Sequence, residues 1–464
     1  MVTLTRALAG ALLLGALALC PAPVAAAPTV SFEPPSATAV LLQPLVFRDT
    51  FRTSIRPVRV ELVASSPYVP GSTVQDATVS QSGDGSWRAS VTQTDAGSVN
   101  TVYRFAFRVT LPGGVTETGP SGSVTVVDPR FAWQTMSAAT VTMHWYGVGT
   151  GTARTWLQAA EAAVTRGAAA FGVTGGVPHL DFFIYNDSAS FFDAIGSGAN
   201  ADAAGVYIPD THTAFGTVLP SDLGSDWPVT EIAHEVTHHV FEAATHNPYH
   251  VPPLWLDEGL AVYYSEGPNQ RAADLQQGIA QGRIVPLDGL SGAFPASADP
   301  FVLSYAEAVS AVDYLLRTYG TAALQRLVAT YARGATDDEA FEAATGGTTA
   351  AFDAAWLAAI GVRPPPTFGP RPAPAGPVPP GWAPSVSPDG QSAGVPPLTG
   401  ATALTGATGA RVPGTSAPGA PSSPPLPAAA VLLLTSSAAG LAAVERRRSR
   451  AAGGHPGPPG DARP

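Results

Sequence analysis

Two histidines four residues apart, with a glutamate beside the first, are the side chains of this sequence best spaced for chemistry. Residues 231–240 read Glu-Ile-Ala-His-Glu-Val-Thr-His-His-Val. On a helix, His234 and His238 fall on one face and can share a tetrahedral zinc ion. Glu235, one step round, then reaches toward a zinc-bound water, whose pKa falls to about 7 on the metal, and takes its proton. Apolar residues recur around them at helical spacing (Val229, Ile232, Ala233, Val236, Val240, Ala243). Asp226 stands at the N-cap position and Pro228 in the first turn, so the spacing predicts a helix. Two ligands do not complete a site. A third stands downstream in Trp255-Leu256-Asp257-Glu258-Gly259-Leu260-Ala261, after a helix end, a turn with Pro248, Pro252 and Pro253, and a returning helix. Two His, one Glu and an open fourth position make a catalytic zinc arrangement.

Composition narrows the alternatives to the same chemistry. The chain has 464 residues, a net charge of −11 and 24 basic residues that are all Arg. Without Lys there is no phosphate-binding P-loop lysine, no Schiff-base site and no Ser-Lys dyad. The single cysteine, Cys20, excludes a disulfide framework, a thiolate zinc site and an iron–sulfur cluster. Any metal is therefore held by His and carboxylates. The acidic balance argues against a nucleic-acid partner.

His-Glu-x-x-His followed by Trp-Leu-Asp-Glu-Gly-Leu-Ala resembles the ligand helices of the gluzincins, zinc metallopeptidases of the peptidase MA-like group that include thermolysin-like and aminopeptidase-N-like enzymes. Phe241 and Ala244 stand where a metzincin would carry the Gly and His of its longer motif. The resemblance extends to Ser304-Tyr305-Ala306-Glu307-Ala308 and covers roughly residues 131–361. It implies Zn2+ on His234, His238 and Glu258, Glu235 as general base, Tyr305 as an oxyanion-stabilising hydroxyl, and a peptide or protein substrate. The Gly-x-Met-Glu-Asn element that binds a free α-amine in aminopeptidase-N-like enzymes is absent, which favours an endopeptidase. Thermolysin-like enzymes carry an Asp four residues after the third ligand, where this chain has Val262, and Asp257 is not counted on to replace it. That gap leaves one alternative reading, a catalytically inactive cell-surface binding or scaffolding protein with a zincin fold. His239 is read as structural, and His246 and His250 as residues of a solvated loop.

The elements around the motif read as follows. Residues 1–27, with Arg6, the apolar run Ala7–Leu19 and the small residues Val24-Ala25-Ala26-Ala27, have the layout of a secretory signal peptide. Residues 28–129 alternate apolar and polar in short runs such as Tyr103–Val109, predicting an all-β immunoglobulin-like sandwich that serves as a spacer or substrate-positioning module. Residues 130–361 read as an α+β domain of zincin-like metallopeptidase type. It has strands at Thr140–Tyr146, Leu180–Tyr185, Ala203–Ile208 and Thr213–Leu219, and helices at Thr152–Phe171 and beyond Asp226. The strand at Thr213–Leu219 is taken as the sheet edge on which an extended peptide pairs. Residues 362–425 form a Pro/Gly-rich linker, since 19 of the 46 prolines lie between Val362 and Pro427. Residues 426–445 are long enough for one transmembrane helix, since the nineteen residues Leu426–Val444 alone span about 28 Å. The tail 446–464 begins with Arg446, Arg447 and Arg448, which places it in the cytoplasm and the catalytic part outside. Oligomeric state is not encoded in any of these features.

Overall fold

The computed structural model describes residues 29–195, 203–295 and 297–364. The expected signal peptide, the transmembrane helix, the cytoplasmic tail and all but the first residues of the linker lie outside the described residues. Among the described residues no helix is long and apolar enough to cross a membrane. The described chain up to Asp353 is one compact unit, and a second begins at Ala354.

The N-terminal region is all-β. One antiparallel sheet holds β1 (Val30–Phe32), β2 (Ser36–Thr38), β3 (Leu45–Thr53), β6 (Thr78–Gln81) and β7 (Trp87–Gln93). The other holds β4 (Arg59–Ser65), β5 (Thr73–Asp76), β8 (Val102–Thr110), β9 (Thr116–Thr118) and β10 (Gly122–Thr125). Their alternating residues face one another: Leu45, Phe47 and Phe51 from the first sheet share a core with Leu62, Phe105 and Phe107 from the second.

The rest of this unit is a five-stranded mixed sheet and helices. The strands are β11 (Gln134–Ser137), β12 (Val141–Trp145), β13 (Leu180–Tyr185), β14 (Gly205–Ile208) and β15 (Thr213–Thr217), in the order β11-β12-β13-β15-β14. The strand at Thr213–Thr217 is therefore interior, flanked by β13 and β14, and β14 forms the edge. This corrects the expectation that Thr213–Leu219 is the edge. A tight connection through Pro209–Thr211 turns β14 back beside β15, antiparallel, while β13 and β15 run parallel. The chain thus reaches the rim first and the sheet interior second.

Helices α1 (Thr150–Phe171) and α3 (Trp227–Thr245) pack together on one face of this sheet. Ile232, Val236 and Val240 of α3 are fully buried, and Phe241 meets Phe171 edge-on at 5.4 Å. The other face is covered by α2 (Ser188–Ile195) and by the N-terminal β region. Leu41 and Val99 join Phe183, Tyr185 and Phe215 in one apolar cluster. The Asn100 side chain, on a residue at φ 69°, bonds Asp181 and Thr213.

After α3 come α4 (Leu254–Ser265), α5 (Ala272–Ala280), α6 (Ala298–Tyr319), α7 (Thr321–Tyr331), α8 (Asp337–Thr345) and α9 (Thr349–Ala359). Helix α4 lies against α6 so closely at Gly259 that a Cβ there would stand 2.5 Å from the Ala308 carbonyl oxygen. Backbone cannot step aside as a side chain can, so the helices would have to separate. Gly259→Ala is expected to cost about 1–3 kcal/mol of stability, read as a lower melting temperature. A variant that melts like the parent would show that the close approach is not needed.

Candidate metal centre

Helix α3 presents His234 and His238 one turn apart, and α4 returns to bring Glu258 beside them. All three side chains are at most 2% exposed. The Nε2 atoms of the two histidines are 3.0 Å apart, and Glu258 Oε2 lies 3.3 Å from His234 Nε2 and 3.6 Å from His238 Nε2. Ligands placed about 2.1 Å from a tetrahedral zinc are separated by roughly 3.4 Å, so the triangle has the dimensions of one face of such a site. Among the described residues this is the group of His and acidic side chains able to hold a metal ion.

The electrostatics fit a cation. Burial, then the neighbouring His238 and the Arg271 charge, keeps His234 well below the ordinary histidine range and so neutral, with lone pairs to donate. Burial pushes the Glu258 carboxyl well up and the Asp257 charge adds to this, while a hydrogen bond with the Tyr305 hydroxyl works in the opposite direction. Two imidazoles and one carboxylate form a donor set suited to a divalent ion.

The supporting residues differ from those expected. His238 Nδ1 donates to Asp257 Oδ1 at 2.7 Å, which fixes the ring and aims the Nε2 lone pair into the triangle. Asp257 thus fills the place left open by Val262. Its adjacency to Glu258 was visible in the sequence, but its partner depends on how α4 crosses α3. Arg271, 6% exposed, is held by Glu266 through contacts of 3.1 and 2.8 Å, and brings a positive charge near His234. Tyr305 is fully buried on α6, where the close approach at Gly259 brings its hydroxyl to Glu258.

Glu235 is also fully buried, on the side of α3 that faces the edge strand. A Cβ added at Gly205 of β14 would meet Glu231, and would lie 2.5 Å from Glu235 Oε1. The absence of a side chain at Gly205 therefore lets the sheet rim lie directly on the two carboxylates. His239 is structural: its Nδ1 meets the Tyr207 hydroxyl of β14 at 3.0 Å and its Nε2 donates to the Pro178 carbonyl at 2.9 Å. Burial pushes its pKa down to about 4, so it is neutral. His246 is exposed and pairs with Glu242, whereas His250 bonds Asp337 at 2.7 Å and ties the loop between the ligand helices to α8. Asp226 occupies the N-cap position of α3 but its side chain makes no capping bond; its backbone is already helical.

Asp257→Asn is expected to weaken zinc binding about 10–100-fold, as loss of such a partner typically does, in a competition titration against a chelator. An unchanged affinity would remove Asp257 from the site.

Comparison with known proteins agrees with this geometry. Residues 159–361 match the model of the Peptidase MA superfamily, consistent with a zincin-like metallopeptidase-like domain. No curated protein matches the chain. Among solved structures, a cycloalternan-degrading enzyme from Trueperella pyogenes in complex with cycloalternan is similar over 22% of this chain and 16% of its own length. The identity is 16% and the TM-score 0.16, a local likeness only.

Proposed function

We propose that this protein, with its Peptidase MA superfamily domain, is an extracytoplasmic, membrane-anchored zinc endopeptidase of gluzincin type, carrying an immunoglobulin-like sandwich before its catalytic part. The observation that carries the reading is the triangle of His234, His238 and Glu258 ligand atoms, 3.0–3.6 Å on a side and buried. Zinc bound there would supply a Lewis acid for peptide-bond hydrolysis. The chain itself does the rest. An extended substrate pairs with the outer edge of β14, which lies on Glu235 at Gly205. Glu235 takes a proton from the attacking water and passes it to the leaving amine. His238, locked by Asp257, keeps one lone pair aimed at the metal position. The buried surroundings exclude other water and strengthen each charge interaction. Export rests on the leader-like residues 1–27, and anchoring on the apolar run 426–445 with the arginines after it.

Tyr305 is assigned to Glu258, because its hydroxyl bonds that carboxylate, and stabilising an oxyanion would require the bond to be released first. Tyr305→Phe separates the two roles. Weaker zinc binding marks the first, and a lower kcat at full zinc occupancy marks the second. The inactive-scaffold reading rested on a missing carboxylate behind a ligand histidine, and Asp257 now supplies one.

Glu235→Gln tests the proposal. The full chain should bind about one zinc and cleave an unstructured, N-terminally blocked protein, with activity lost to a chelator and restored by zinc. The variant should keep its zinc and lose about 10²–10⁴-fold in kcat. Equal activity in both proteins would end the assignment of Glu235, and zinc binding without turnover would favour the scaffold.

A further inference from the structure

We infer that the pocket just beyond the C-terminal end of β14 receives a basic side chain of the substrate, flanking the bond that is cleaved. This rests on the peptidase reading above. The pocket, about 270 Å3, is walled by Ile208 and Asp210 at the end of the edge strand, Glu242 of α3, Val251 of the following loop, and Tyr68 from the N-terminal β region. It continues directly from the metal centre along two elements. The edge strand runs from Gly205, which borders Glu235, to Ile208 at the pocket wall. Helix α3 runs from His238 to Glu242 one turn later, about 6 Å along its axis. A peptide extended on β14 across the centre therefore carries one of its side chains over this opening.

The lining has the chemistry of a long cationic side chain. Ile208, Val251, Pro252 and the Tyr68 ring offer apolar surface to an aliphatic stem, and Asp210 and Glu242 place two carboxylates where a charged head would come to rest. No arginine lines the pocket, and the chain contains no lysine. Glu242 is already met by His246 at 3.0 Å and by the Tyr207 hydroxyl at 3.4 Å, which orient it. Asp210 has no ion pair with an arginine among the described residues. Burial, and then the negative charge of Glu242, push its carboxyl up from the ordinary range. A guanidinium between the two carboxylates would offset both effects, whereas an acidic side chain would meet repulsion from both. Tyr68 is fixed in the wall by a 2.8 Å bond between its hydroxyl and Thr101. The ring face can stack on a guanidinium.

The test uses the full chain with zinc present and Glu235→Gln in place, so that binding is read without turnover. The probes are blocked alanine hexapeptide amides carrying one arginine at each successive position, each matched by the same peptide with uncharged citrulline. In at least one register the arginine peptide should bind about tenfold more tightly than its partner. Adding Asp210→Asn and Glu242→Gln should bring the ratio close to one. If that combination lowers zinc content or melting temperature, Asp210→Asn alone, in the connection after β14, should still reduce the ratio several-fold. Equal affinities in every register, or a preference untouched by these substitutions, overturn the inference. Cleavage of the same peptides by the unsubstituted chain keeps the two readings apart. Cleavage with no arginine preference ends the pocket assignment alone. An intact arginine preference with no cleavage supports the pocket and ends the peptidase reading.

Discussion

Two imidazole lone pairs and a carboxylate gathered within 3.6 Å in a buried interior repel one another and lose their hydration. A polypeptide left to itself would splay them apart, and much of this structure is the scaffolding that prevents it. Helix α3 is held from behind by α1 and by the sheet, so its histidines cannot rotate away. Asp257 restrains one ring, and the Tyr305 hydroxyl donates a bond to the carboxylate. The glycine after Glu258 lets α4 settle on α6 at backbone distance, which delivers the carboxylate and the tyrosine to the same place.

What the sequence reveals and what it hides follow from the range of each interaction. The histidine pair is legible because a helix converts a spacing of four into a shared face. Glu258 is legible because it sits in an apolar, helix-forming run with a distinctive order of residues. The bond from Asp257 to His238 depends on a crossing between two helices, which no local spacing records. Sheet order was also hidden. Every residue of β14 and of β15 is buried, so neither burial nor hydrophobic pattern separates the rim strand from its inner neighbour. The two run antiparallel across a turn, and only the parallel pairing of β15 with β13 decides which is the edge. Glycines 205 and 259 read as ordinary small residues in the sequence; their meaning lies in the atoms that a side chain there would strike.

The N-terminal sheets are joined to the mixed sheet by specific contacts. Asn100, in a left-handed conformation, reaches across to Asp181 and Thr213, and Val99 donates its amide to the Ala194 carbonyl. Leu41 and Val99 cover the face of the mixed sheet opposite the ligand helix, where Phe183 and Tyr185 would otherwise meet water. Tyr68 extends that contact to the pocket at the end of the edge strand.

The position of β12 has a consequence for how much of the chain must fold together. The span that carries the family likeness starts at residue 159, inside α1, and omits β11 and β12. Yet β12 pairs with β13, and its Val141, Met143 and Trp145 are buried. A polypeptide begun at residue 159 would leave β13 with an unpaired rim and lose three core side chains, giving a sticky, half-covered sheet. The stretch that matches the family model is thus shorter than the sheet that folds with it. The missing portion lies upstream, in β11 and β12, which complete the ladder and add Val141, Met143 and Trp145 to the core.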